Sequence, residues 1–250
     1  MANVFVDSWE TYKEHIGLVL LFSIPFIIAF LIPLFAPLPT YISSGAIFLR
    51  SASVFLNLSA VGLGVIIISL FLALLFLSFA FVAINLIVKA KRTHTKVSGS
   101  VIRDLEKYTG RVFAILLVYA AALIAVEISS YYVGLQGIAT PLVGFFLFVA
   151  MFYAPAAVVL ENKKVFAAIR QSARLVVKEP QYFLLWAAAI AIVVSVLDFA
   201  MIALTSALMG PAGTLFSSYA LLVLNSLFVL PYFVIYQAEA YMRRFSILKH

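Results

Sequence analysis

Cysteine is absent from the 250-residue chain. A protein without cysteine has no disulfide framework, no thiolate metal site and no thiol nucleophile. Charge is also scarce, since charged residues make up 11% of the chain, whereas they make up about 25% of a typical globular protein. A soluble domain of this size needs polar residues to cover its surface. The shortage of charge therefore excludes an ordinary water-soluble fold.

The short motifs of common catalytic sites are absent as well. The sequence contains no Walker A loop, no H-E-x-x-H and no G-x-S-x-G. Its three histidines, His15, His94 and His250, are isolated from one another. We therefore predict that the protein is not an enzyme and has no catalytic residues, no cofactor and no metal site. The N-terminal segment MANVFVDSWETYKEH lacks a basic region and a small-residue cleavage site, so we expect no cleaved signal peptide.

What the chain has in abundance is apolar sequence. Hydrophobic residues make up 65% of it, and its mean hydropathy is +1.15. Continuous apolar runs of roughly 20 residues are typical of membrane-spanning helices, whereas strands of membrane barrels alternate apolar and polar residues. The sequence therefore predicts an all-α polytopic membrane bundle, with a single transmembrane domain over residues 1–250. Its six spans are expected near 16–36, 54–88, 112–135, 141–160, 182–209 and 215–238.

The positive charges have a strongly one-sided distribution. If these spans are correct, all but one of the 17 Lys and Arg residues fall on one side of the membrane, and the exception is Arg50. Because cytoplasmic loops carry the excess of Lys and Arg, we expect both termini in the cytoplasm and the protein in the plasma or inner membrane. The net charge of +7 comes in blocks between apolar runs, which favours a membrane surface over nucleic acid as the partner.

Two of these basic blocks are similar in sequence. With an offset of 67 residues, four cations and the apolar run that follows them align, which predicts an internal repeat. In 96–111 and 163–178 the cations fall on one side of a helix and apolar residues on the other, as in helices that lie in the membrane interface. We expect the chain to turn into the bilayer at Thr109–Gly110 and at Pro180. The alternative is a solvated cytoplasmic helix.

These helices predict the first candidate function, which is a membrane-organising, lipid-interacting or accessory protein. Its partners would be anionic lipid head groups or another membrane protein, and the sequence does not set its oligomeric state. The N-terminal segment before the first span is amphipathic too and is expected to be a third, diverged copy. The predicted contact residues are Lys96, Arg103, Lys107, Arg111, Lys163, Arg170, Arg174 and Lys178.

Two acids inside predicted spans support the alternative function, a small transporter or channel. Glu127 and Asp198 lie roughly 22 Å and 24 Å along their spans at 1.5 Å per residue. Intramembrane acids are costly and often mark an ion or proton pathway. The structural alternative is that they reach the outer interface and pair with Arg50 or with Tyr131 and Tyr132.

Other polar residues and prolines in the spans have structural interpretations. Glu239 precedes Arg243 by four residues, a spacing that predicts an ion pair within one helix. Asn85 and Asn225 are expected to hydrogen-bond between helices. Prolines are expected to kink the first, fourth and sixth spans. They are Pro25, Pro155 and Pro231.

Three segments carry a resemblance to a known family. They are SWETYKEHIGLVLLFSIPF (8–26), LENKKVFAAIRQSARLVVKEPQYFLLW (160–186) and LPYFVIYQAEAYMRR (230–244). Together they resemble the YciC-like inner-membrane proteins and the membrane domain found with some glycerophosphodiester phosphodiesterases. The resemblance implies a six-helix membrane protein without established catalytic residues. Because no phosphodiesterase domain follows in this sequence, the resemblance does not predict that activity.

Overall fold

A computed structural model describes residues 2–32, 40–43, 46–49, 60–93, 99–210 and 212–244. These residues are almost entirely helical, which confirms the predicted all-α fold. In chain order the helices are α1 (Ala2–Glu14), α2 (Ile16–Leu31), α3 (Ala60–Arg92), α4 (Gly99–Tyr132), α5 (Gln136–Met151), α6 (Ala154–Glu161), α7 (Val165–Lys178), α8 (Pro180–Met209), α9 (Ala212–Leu224) and α10 (Leu230–Arg244). Two short strands, Thr40–Ser43 and Ala46–Leu49, pair antiparallel between α2 and α3.

Within the described residues, five segments are long and apolar enough to cross a membrane. They are Ala60–Arg92, Asp104–Ser130, Gly137–Glu161, Pro180–Met209 and Phe216–Arg243. A sixth candidate is α1 together with α2, which meet at an angle of 93°. These segments match the predicted spans, although residues 33–36 of the first predicted span and 54–59 of the second lie outside the described part of the chain. The protein is a polytopic helical membrane bundle.

The fourth predicted span is interrupted, and Pro155 explains why. Phe152 and Tyr153 separate α5 from α6, and Pro155 lies in the first turn of α6. Proline has no backbone N–H to donate and its ring crowds the carbonyl one turn earlier. The helix is therefore interrupted next to this proline, while the predicted kink stays a prediction. We call Phe152 and Tyr153 the helix break.

The last predicted span is interrupted in a different way. Asn225–Val229 form a π-helical turn between α9 and α10, and the N–H of Leu230 donates to the carbonyl of Asn225. Pro231 follows directly and removes the next donor, so the wider turn accommodates the proline within one continuous span. Pro25, by contrast, lies inside the uninterrupted α2.

The break predicted at Thr109–Gly110 does not occur. Helix α4 continues from Gly99 to Tyr132, whereas α7 ends before Glu179 and Pro180 starts α8. Glycine costs only about 1 kcal/mol in a helix interior and keeps its donor. The buried neighbours Tyr108 and Val112 offset that cost by packing. The basic segment at the start of α4 is thus collinear with its span.

Burial is concentrated at one end of the bundle. Here parts of α1, α3, α4, α6, α7 and α10 enclose a common core that includes Val112, Tyr153 and Tyr241. A second cluster joins α1, α2, α3 and α10 around Val19 and Ile235. Towards the other end the helices expose apolar side chains, and none of the most apolar part of α8 is buried. Such exposed apolar faces are suited to contact with lipid.

Candidate functional site

The buried end of the bundle is also where its charges meet, and we call it the charged end. Lys91 at the end of α3 lies 2.7 Å from the carboxylate of Glu14 in α1. Arg243 of α10 pairs with Asp7 of α1. Arg111 of α4 donates to the Asn162 side chain at 2.8 Å. The ends of these helices therefore lie at the same end of the bundle.

A buried carboxylate organises this end. Glu239 has no exposed surface, and it accepts hydrogen bonds from Nη2 and Nε of Arg92 at 2.6 and 3.1 Å. The hydroxyl of Thr11 donates to it at 3.0 Å. The predicted pair between Glu239 and Arg243 is wrong, because the guanidinium of α3 reaches the carboxylate with two donors in a fixed fork. Arg243 pairs with Asp7 instead.

A second polar cluster joins α6, α7 and α10. Glu161 accepts hydrogen bonds from the Tyr241 hydroxyl at 2.7 Å and from Gln171 Nε2 at 3.0 Å. Gln171 also donates to the Tyr241 oxygen at 2.7 Å, and Lys163 lies 3.3 Å from Glu161. Lys89 is used internally too, since it donates to the carbonyl of Val159 at 3.1 Å.

The cations of α7, unlike the cations described above, have no partners in the described part of the chain. Arg170, Arg174 and Lys178 are exposed, and none of them forms an ion pair or hydrogen bond with a residue that the structure describes. Lys164, just before the helix, is also exposed. These cations have no structural role among the described contacts, so they are free to bind an external anion.

The same surface of α7 carries two large apolar side chains. Phe166 is 77% exposed and Val177 is 80% exposed, and they lie about three helical turns apart on one side of the helix. The opposite side packs Ala168, Ser172 and Leu175 into the core. The pattern of 163–178 predicts that its apolar residues, which include Phe166, Val176 and Val177, share one side of the helix opposite the cations. The structure divides that side, because Val176 is buried and the other two are not.

The remaining predicted contact residues fall into three groups. Lys107 is exposed, with its ammonium 5.6 Å from the Tyr108 ring centre. Arg111 and Lys163 are engaged in the contacts described above. Lys96 lies outside the described residues, and Arg103 lies in α4 with its side chain outside the described part. The described cations without an ion pair or hydrogen bond to another described residue are therefore Lys107, Lys164, Arg170, Arg174 and Lys178, together with Lys13 of α1, whose ammonium lies 5.0 Å from the Trp9 ring centre.

The two intramembrane acids are not joined in one site. Glu127 and Asp198 are both partly exposed, and neither side chain bonds to another described residue. Helix α4 packs against α3, α5, α6 and α7, whereas α8 packs against α7, α9, the π turn and α10. A cleft of about 390 Å³ beside the far end of α4 is lined by Ser129 and Ser130 but by neither acid. Their proposed partner Arg50 lies outside the described residues.

The contacts predicted for Asn85 and Asn225 also differ from those in the structure. Asn85 donates to the carbonyl of Phe81 in its own helix at 2.7 Å, so its predicted contact between helices is wrong. The side-chain oxygen of Asn225 has no hydrogen-bond partner among the described residues. The described part of the chain also contains no group of three or more His, Cys, Asp or Glu residues that could hold a metal ion.

Three residues that support the helix break were not predicted from the sequence, namely Gln171, Ser172 and Gln237. The N–H of Tyr153 donates to the hydroxyl oxygen of Ser172 at 2.8 Å, and the side-chain amide of Gln237 donates to the carbonyl of Phe152. The side-chain amide of Gln171 donates to the carboxylate of Glu161 at the end of α6, the helix that follows the break. Polar residues facing the interrupted span were the signal that could have identified them, since irregular backbone in a membrane needs partners.

Comparison of the chain with known protein families, with curated protein sequences and with solved structures finds no match.

Proposed function

We propose that this protein is a non-enzymatic integral membrane protein that binds anionic lipid head groups through the exposed face of α7. The observation that carries the proposal is the set of free cations Arg170, Arg174 and Lys178 beside the exposed Phe166 and Val177. Most other described cations at the charged end have internal partners. The resemblance to the YciC-like proteins implies only a six-helix membrane protein and stays a prediction.

Lipid head groups fit the chemistry of this face. Arginine binds phosphate oxygens with two parallel donors, and each cation near an anionic membrane surface contributes about 1 kcal/mol. Phe166 and Val177 would enter the boundary between head groups and acyl chains, as apolar residues of interfacial helices do. An exposed phenylalanine and valine beside three cations would be unfavourable in water alone.

We further propose that the charged end faces the cytoplasm, with both termini on that side. The support is the excess of Lys and Arg at this end, which is typical of cytoplasmic loops. The inner leaflet of such membranes carries anionic lipid, and its field falls off within a Debye length of about 8 Å at physiological salt. The free cations of α7 must therefore lie close to the head groups to bind them.

The experiment compares lipid-induced stabilisation of purified, delipidated protein in a mild detergent. A ligand that binds the folded state raises the Tm, and the rise grows with the logarithm of its concentration divided by its Kd. We expect phosphatidylglycerol to raise the Tm of the wild type more than phosphatidylcholine does. Three cations correspond to an affinity preference on the order of a hundredfold.

A triple variant and a matched control locate the binding. Arg170→Gln with Arg174→Gln and Lys178→Gln is expected to remove the preference for phosphatidylglycerol. Lys13→Gln, which neutralises an exposed cation on α1, is expected to keep it. Equal stabilisation of the wild type by both lipids would contradict the proposal and would favour a membrane-protein partner for these cations. A triple variant that retains the preference would also contradict it.

A further inference from the structure

The side of α7 opposite its cations is attached to the helix break. Ser172 and Tyr153 both have no exposed surface, and the backbone N–H of Tyr153 donates to Ser172 Oγ at 2.8 Å. In a regular helix this N–H would bond within its own span. A side chain of the interfacial helix has therefore replaced a backbone bond of a membrane-spanning segment.

The backbone carbonyl of Phe152, on the other residue of the break, also depends on a side chain that is distant in sequence. The carbonyl of Phe152 accepts a hydrogen bond from Gln237 of α10. Pro155 lacks the N–H that would bond to the carbonyl of Met151. In the break itself, the Phe152 N–H and the Tyr153 carbonyl bond within the span, whereas the Tyr153 N–H and the Phe152 carbonyl depend on Ser172 and Gln237. An unsatisfied N–H or carbonyl in the bilayer is costly, so non-helical backbone is tolerated there only where protein or water supplies partners.

Three contacts join α7 to the segment around the break. Ser172 bonds to Tyr153, Gln171 bonds to Glu161 at the end of α6, and Ala168 packs in the same core cluster as Tyr153. Arg170 and Arg174, on the exposed side, flank Gln171 and Ser172 along the same helix. A ligand on the exposed face is therefore one helix diameter, about 10 Å, from the break.

We propose that anionic lipid bound to α7 regulates the helix break, by favouring the position of α7 in which Ser172 accepts the Tyr153 N–H. This inference rests on the proposed function of α7. A ligand shifts a conformational equilibrium only if it binds the two states differently. Here the difference arises because seating α7 against the head groups fixes the depth of Ser172 relative to the membrane span. Without the lipid, α7 shifts and the Tyr153 N–H loses its acceptor.

Hydrogen exchange of the backbone reports the state of the break directly. The protein is reconstituted in nanodiscs of phosphatidylcholine alone and of phosphatidylcholine with phosphatidylglycerol, and exchange is followed by mass spectrometry in peptides that contain Tyr153. We expect slower exchange with phosphatidylglycerol by at least about fivefold, the lower end of ordinary couplings between sites. Equal exchange in the two lipids would overturn the inference.

Variants separate this inference from the proposed function. Ser172→Ala is expected to abolish the lipid dependence of exchange and to keep the preference for phosphatidylglycerol in the Tm assay. Ser172→Thr retains a hydroxyl and is expected to restore the lipid dependence. Ser129→Ala, whose hydroxyl bonds only within α4, is the control and is expected to behave as the wild type.

The remaining outcomes are also decisive. If Ser172→Ala shows the same lipid dependence of exchange as the wild type, the coupling through Ser172 is wrong even though lipid binding stands. If the wild type shows no lipid preference in the Tm assay, the proposed function fails first and the coupling fails with it. The triple variant of Arg170, Arg174 and Lys178 is expected to lose both the preference and the lipid dependence of exchange.

Discussion

Arg92 and Glu239 form the ion pair that joins α3 to α10, with two hydrogen bonds from one guanidinium, which is 37% exposed, to one oxygen of a buried carboxylate. Glu239 is completely buried and also binds Thr11 of α1. The pair and Thr11 therefore join three helices at the charged end, which include the first and the last described helix.

Removing the cation of this pair is expected to destabilise the fold strongly. Arg92→Leu leaves a buried carboxylate without its charged partner, a change that costs about 3 kcal/mol in comparable buried pairs. The free energy of unfolding, or the Tm in detergent, measures the loss. Arg243→Leu is the matched control, because its carboxylate partner Asp7 is partly exposed whereas Glu239 is buried, and pairs with solvent-accessible carboxylates contribute at most about 1 kcal/mol. Equal losses in the two variants would contradict the assignment.

The support of the helix break by Gln237 predicts a second loss of stability. Gln237→Leu keeps the volume of the side chain but leaves the buried carbonyl of Phe152 without a donor, which costs about 1–3 kcal/mol. The Tm is expected to fall accordingly. Gln181→Leu in the first turn of α8 is the control, since Gln181 is only half-buried and bonds to its neighbour Glu179. A fall in Tm no larger than that of the control would show that Gln237 does not support the break.

The absence of cysteine allows the depth of α7 to be measured with single spin labels. Labels at Phe166→Cys and Val177→Cys are expected to be accessible to oxygen, which concentrates in the bilayer, because these side chains enter its interface. A label at Lys164→Cys is expected to be accessible to a water-soluble nickel complex instead. Electron paramagnetic resonance in nanodiscs distinguishes the two environments. Equal access of the nickel complex to all three labels would indicate a solvated helix, the alternative left open by the sequence.

The spans and their common charged end follow from the sequence because both depend on local composition. A run of apolar residues has no other favourable solvent than lipid, and the boundaries are set where Lys89, Lys91 and Arg92 begin. Proline has an equally local effect, so the interruptions near Pro155 and Pro231 were predictable. The internal repeat remains a prediction, and α4 departs from it by continuing through Gly110.

The partners of buried polar groups could not be predicted in the same way. Spacing of four residues favours Glu239 with Arg243, but Arg92, which is distant in sequence, forms two hydrogen bonds to the same carboxylate. In the sequence, Ser172 is likewise only one small residue of a predicted amphipathic helix, and nothing local indicates its partner. Its role follows only from the approach of Tyr153, which depends on how α6 and α7 pack.

Photocrosslinking from the exposed face of α7 in a native membrane tests the central claim most directly. Phe166 replaced by p-benzoylphenylalanine keeps an aromatic side chain at a position that is 77% exposed, beside the free cations. After irradiation, mass spectrometry identifies the adduct. We predict a phospholipid adduct with an anionic head group, which is lost when Arg170, Arg174 and Lys178 are changed to Gln. An adduct with zwitterionic lipid alone, or with a protein and no lipid, would contradict the account.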